Sequence, residues 1–145
     1  MNVQEPGRGK IDDMLCFALY AASRAAMDVY RPLLDELGLT YPQYLVMIVL
    51  WDREICSVKE IGRTLHLDSG TLSPLLKRLE STGFIKRQRR TQDERVVDIS
   101  LTQAGRALHE RAADVPMKVS CRYGIEFEEY VTLLEQLKKL TGRLA

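Results

Sequence analysis

The chain has no apolar run near the roughly 18 residues that a membrane-spanning helix needs, and it has no internal repeat or low-complexity tract. Its first ten residues, MNVQEPGRGK, are polar and lack the apolar stretch of a signal peptide, so the cytoplasm is the expected location. Cysteine is scarce: Cys16, Cys56 and Cys121 stand alone, with no CxxC and no Cys/His spacing that would hold zinc. A reducing compartment also argues against a disulfide framework. From the residues alone, the favoured reading of the three thiols is inert small core side chains. No metal or organic cofactor is expected.

Strong charge of one sign is missing too, the net charge being +1. That balance hides an asymmetry. Between Lys59 and Arg95 nine basic residues face five acidic ones, so this stretch carries +4 and the rest −3. What is present in quantity is hydrophobic side chain, 46% of 145 residues, enough for a real core in one ordinary domain.

The apolar pattern divides the chain. Residues 1–10 read as a flexible arm. Over residues 12–37, Leu15, Ala18, Leu19, Ala22, Ala25, Ala26, Val29, Leu33 and Leu34 recur at helical spacing, with Pro32 expected to bend or split the helix and Gly38 to end it. Pro42 opens a second helix that runs to about Asp52. Ser57 and Glu60 form a capping box for a short third helix over residues 58–65. Asp68 caps a fourth, carrying Leu72, Leu75, Leu76 and Leu79 and closed by Gly83. Two strand-like runs, 84–90 and 96–101, flank the polar turn Thr91-Gln92-Asp93-Glu94. Thr102 caps a fifth helix that reaches about Val115; a join over residues 117–124 then leads to a last helix over 126–144 with nearly heptad spacing.

Two short helices joined tightly and followed by a basic ribbon describe a mainly α winged helix-turn-helix with a two-stranded β wing. The fourth helix would lie in the major groove, presenting Asp68, Ser69, Thr71, Ser73, Lys77 and Arg78 to phosphates and base edges. The hairpin adds Arg87 and, just past its tip, Arg95, which suits a narrow minor groove; Asp93 is placed to hold that guanidinium in one rotamer. The terminal helices carry more apolar surface than one small domain needs. Residues 11–40 and 102–145 are therefore expected to build a homodimer around a DNA-binding region at 41–101, all within a single domain.

These residues resemble the multiple-antibiotic-resistance regulator (MarR) family. Asp93-Glu94-Arg95 followed by Val97, Ile99, Leu101 and Thr102 is similar to that family's wing signature. The segments LCFALYAASR, YRPLLDELGLTYPQYLVMIVLW and LDSGTLSPLLKRLE resemble its organic hydroperoxide resistance branch, and the likeness covers nearly everything past the first ten residues. The resemblance implies a sensor thiol at Cys16, with Tyr30 and Tyr41 binding its thiolate, the second supplied by the partner subunit. It implies a second redox cysteine at Cys121 forming an intersubunit disulfide, with Cys56 a bystander. It implies a repressor, not an enzyme, that leaves a double-stranded DNA operator when organic hydroperoxides oxidise it. His66 departs from the family pattern, which has an aromatic residue there.

The chemistry is sound on physical grounds. Two phenol donors stabilise a thiolate by about 1.5–3 kcal/mol each, and oxidation to a sulfenic acid removes the anion they bind. Apolar Leu15, Phe17 and Leu19 surround the thiol and suit a lipid-like hydroperoxide. Three other readings compete: a repressor answering to a phenolic ligand, a thiol peroxidase using Cys16 and Cys121, and an architectural DNA binder.

Overall fold

The computed structural model describes residues 9–145, so residues 1–8 of the expected arm lie outside the described residues. The chain divides into two compact units, one running to Val115 and the other covering Pro116–Ala145.

The first unit is built around helix α2 (Tyr41–Arg53). Val46, Met47 and Leu50 are fully buried, and Tyr44 and Val49 nearly so. Thr40 starts this helix with a reciprocal cap: Gln43 N–H donates to its Oγ1 at 3.4 Å, and its own N–H donates to Gln43 Oε1 at 2.9 Å. Packed on α2 are α1 (Leu15–Asp35), α3 (Val58–Leu65), α4 (Ser69–Ser81) and α5 (Gln103–Ala112). Strands β1 (Ile55–Ser57) and β3 (Val97–Leu101) pack on it as well, and β2 (Ile85–Arg89) joins β3 and α4.

Helix α1 follows a short 3-10 turn at Ile11–Asp13. Pro32 does not split it: the helix continues to Asp35, where the burial of Leu34, Leu37 and Leu39 draws the end of the helix into the core. Leu39 N–H then donates back to the Leu34 carbonyl at 3.0 Å across Gly38, whose φ of 70° suits only a residue without Cβ strain. The same arrangement ends α4, with Phe84 N–H on the Leu79 carbonyl across Gly83.

The helix-turn-helix takes shape as its caps lead one to expect. Ser57 and Glu60 cap α3 reciprocally, and Leu72, Leu76 and Leu79 bury one face of α4. Between the two helices His66 adopts φ 54°, and Leu67 N–H reaches the Gly62 carbonyl at 2.9 Å. Histidine therefore occupies a left-handed position that usually falls to glycine or asparagine.

Two expectations need correction. The wing is not a two-stranded ribbon alone. The sheet has three antiparallel strands in the order β1-β3-β2, with Cys56 opposite Ile99 and Arg87 opposite Ile99 from the other side. Three residues before a capping box are too few to read as a strand, and they gain their partner only from β3. The expected join after the fifth helix is also largely helical. Val115–Tyr123 forms α6, with Pro116 near its start, where proline costs no hydrogen bond.

In the second unit α7 (Phe127–Leu144) buries no residue and leaves Phe127 and Leu144 79% and 77% exposed. In the first, α1 buries only Leu34 and exposes Leu15, Phe17 and Tyr20. Among the described residues no helix is long and apolar enough to cross a membrane.

Glycine at 105 is a steric requirement, because a Cβ there would run into the Phe84 carbonyl oxygen, whereas one at Gly142 meets nothing within 4 Å. Gly105→Ala is therefore expected to lower unfolding free energy by about 1–3 kcal/mol through overpacking. Gly142→Ala should leave it unchanged or raise it by up to about 1 kcal/mol through helix propensity. Urea unfolding of the two variants checks both.

Candidate nucleic-acid interface and thiol site

Helix α4 presents its polar face as its periodicity implies. Ser69, Thr71, Ser73, Lys77 and Arg78 are all exposed, opposite the buried leucines. Asp68 holds the start of the helix: Thr71 N–H donates to its Oδ1 at 2.8 Å, and the Thr71 hydroxyl donates to Oδ2 at 3.0 Å. The Thr71 amide and hydroxyl keep the Asp68 carboxyl below its ordinary range. Asp68 thus orders Thr71 and the first turn of α4, and its anion is occupied within the protein.

A cleft of about 690 Å³ lies between α3, α4 and the wing. Lys59, Arg63, Arg87, Arg90 and Arg95 line it, with Glu60 the sole carboxylate among its lining residues. That carboxylate is itself committed, accepting from the Ser57 N–H and hydroxyl at 2.7 Å each, which holds it below the usual range. The cleft therefore presents a concave, predominantly cationic surface.

The wing cations are steadied by acids. Arg95 forks onto Asp93, with Nε at 3.1 Å from Oδ1 and Nη2 at 3.5 Å from Oδ2, while its side chain stays 91% exposed. The pairing expected of these two residues is present, and the Arg95 guanidinium and amide hold the Asp93 carboxyl below its usual range. Two further pairs escaped the sequence reading. Arg90 grips Asp98 at 2.7 and 2.8 Å, fixing the wing's two strands to each other. Arg87 spends its guanidinium and its N–H on Glu80 of α4, at 2.9–3.1 Å. Arg87 therefore joins β2 of the wing to α4.

The three thiols occupy different settings. Cys56 lies in β1 at 3% exposure, where burial pushes its thiol up, against thiolate formation. Cys16 and Cys121 are exposed, on the first turn of α1 and on α6. Tyr30 and Tyr41 meet, their ring centroids 4.8 Å apart. They do not meet their own Cys16. Tyr30 lies fourteen residues further along an unbroken stretch of α1, about 21 Å at the helical rise. The expectation that only the second phenol comes from the partner is corrected accordingly: the two travel together, so both must come from another subunit if either is to reach the thiol.

Behind this pair lies an aromatic series that sequence reasoning missed. Tyr44 contacts Tyr30 and Tyr41 at 6.0 and 6.5 Å, and Trp51 at 6.1 Å. Trp51 stacks on His109 at 4.9 Å, with 17° between the planes. The signal was available in part, since Tyr41, Tyr44 and Trp51 recur at helical spacing along α2.

Comparisons with known proteins agree on what such an arrangement belongs to. Residues 28–112 match the family model described as transcriptional regulator SarA/Rot. The chain is 53% identical over 107 residues to the organic hydroperoxide resistance transcriptional regulator of Bacillus subtilis, covering 74% of this chain and 73% of that one. It is 49% identical over 134 residues to the HTH-type transcriptional regulator TtmR of Methylorubrum extorquens, covering 92% and 69%. Among solved structures, reduced AbfR bound to DNA superposes with a TM-score of 0.79 at 37% identity, over 90% of this chain and 91% of that one. AbfR, from Staphylococcus epidermidis, has also been solved in overoxidized form bound to DNA and in a disulfide form. These relatives are regulators, not enzymes. The chain is a DNA-binding transcriptional regulator of the MarR and SarA type and belongs to the organic hydroperoxide resistance regulators within it.

Proposed function

We propose that this regulator is a cytoplasmic, dimeric repressor of a pseudopalindromic operator, released when an organic hydroperoxide oxidises Cys16. The observation that carries the reading is the position of an exposed Cys16 at one end of α1 and a paired Tyr30 and Tyr41 at the other. Two copies related by a two-fold axis, with their α1 helices antiparallel, bring each thiol to the partner's phenols, and do so twice by symmetry. The exposed apolar faces of α1 and α7 are the surface such a dimer would bury. Its two α4 helices would enter successive major grooves about 34 Å apart.

The redox step balances simply. The Cys16 thiolate attacks the outer oxygen of the hydroperoxide; the O–O bond breaks, the alkoxide takes a proton and leaves as an alcohol, and sulfur becomes a sulfenic acid. The Cys121 thiol of the partner subunit then displaces water to form a disulfide, so the two thiols supply the two electrons that reduce the peroxide. Loss of the anion removes two charge-assisted bonds of about 1.5–3 kcal/mol each. A few kcal/mol is the scale that moves a two-state equilibrium tens- to thousands-fold. The disulfide and overoxidized forms solved for AbfR lend support to this chemistry in a related chain.

Three outcomes are expected. Cys16→Ser binds operator like the parent but stays bound in cumene hydroperoxide; release of that variant at parental peroxide doses would sink the proposal. On a non-reducing gel, the peroxide-treated parent runs as a covalent dimer and Cys121→Ser as a monomer. Arg95→Ala weakens operator binding and flattens the slope of log affinity against log salt by about one ion, as a filter-binding series across salt concentrations would record.

A further inference from the structure

We infer that Tyr44 and Trp51 are positioning residues that carry the state of the Tyr30–Tyr41 pair to the joint between the recognition helix and the wing. The inference rests on the reading of Cys16 proposed above and extends it from the thiol to the DNA-binding elements.

Tyr44 is 3% exposed, and its ring touches both phenol rings of the pair. A close-packed interior has no slack at such a point. Tyr30 and Tyr41 are half-buried over Tyr44, so a movement of either ring toward the core meets it. Trp51 lies seven residues, two helical turns, further along the same face of α2 and receives the Tyr44 ring edge-on.

The indole spends its single N–H on the Gly105 carbonyl of α5, at 2.9 Å, while its face lies on His109 one turn further along that helix. Gly105 has no side chain to absorb a displacement, and its backbone lies directly against Phe84. Thr102 ties the same point three times. Its N–H donates to the Phe84 carbonyl at 3.1 Å, its hydroxyl donates to the Gly83 carbonyl at 2.5 Å, and that hydroxyl accepts from Gly105 N–H at 3.0 Å.

Residues 82–85 are where α4 ends and β2 begins. A shift of the indole is thus delivered through backbone contacts to the one segment from which the recognition helix and the wing both depart. All of these residues lie within the unit that ends at Val115.

Trp51 is the only tryptophan in the chain, so its emission reports on the series directly. Cumene hydroperoxide should change the emission of the parent and leave that of Cys16→Ser unchanged; a parent oxidised to completion with unaltered emission overturns the inference. Trp51→Phe keeps a ring and removes the donor. It should form sulfenic acid at the parental rate, scored by a dimedone trap, and bind operator in the reduced state within about twofold of the parent.

The ratio of oxidised to reduced operator Kd should be smaller in Trp51→Phe by about fivefold to tenfold, the order that one hydrogen bond supplies. Tyr44→Leu, checked for folding by its melting temperature, should reduce the ratio in the same direction. Equal weakening of reduced and oxidised binding, or an unchanged ratio in both variants while the parent releases normally, overturns the inference and leaves the Cys16 reading standing. A parent whose Cys16 is oxidised yet stays on DNA overturns both.

Discussion

The burial of α2 is the constraint from which the first unit follows. Every neighbouring element meets this one helix, so its side chains set where α1, α3, α4, α5 and the sheet can lie. Val46, Met47 and Leu50 provide the apolar contact that offsets the conformational entropy of ordering short helices, which are marginal by themselves. Its aromatic side, Tyr41, Tyr44 and Trp51, faces two tasks at once: filling space, and meeting the far end of α1 and the start of α5. A core helix in this position is difficult to perturb without consequence at the surface.

Electrostatics in the wing follow a different logic. Four arginines crowd a short hairpin, and three of them hold a carboxylate: Glu80, Asp93 and Asp98. None of these exposed pairs is a strong source of stability. Their effect is geometric, since a forked guanidinium fixes the angle between wing and helix or between one strand and the next. Lys59 and Arg63 of α3 complete the basic cleft.

Much of the fold could be read from local signals. Ser57, Asp68 and Thr102 announced three helix starts, Gly38 and Gly83 two helix ends, and the leucines of α4 its buried face. What escaped reading was non-local or double-valued. Residues 55–57 become a strand only because β3, more than forty residues later, pairs with them. Pro116 reads equally as a stop and as a start, and the structure uses it as a start. Of the proposed sensor positions, Cys16, Tyr30 and Tyr41 came from family likeness, and periodicity had no means of saying which subunit's phenols could reach which thiol. The Trp51–Gly105 bond spans fifty-four positions, and the Arg87–Glu80 and Arg90–Asp98 pairs depend on how the wing folds back, so none had a signature in sequence spacing.

The forked pair at the wing tip also bears on how an operator is found. An arginine side chain has about 2 kcal/mol of rotamer freedom to lose when it is fixed on a ligand. Arg95 has already surrendered part of that freedom to Asp93 while remaining almost wholly in solvent. The neighbouring carboxylate also subtracts from the attraction felt by any random stretch of duplex. In the DNA contact proposed for Arg95, such a tip would lose little freedom where the groove suits its shape and gain little where it does not, which favours discrimination among sites over indiscriminate adhesion.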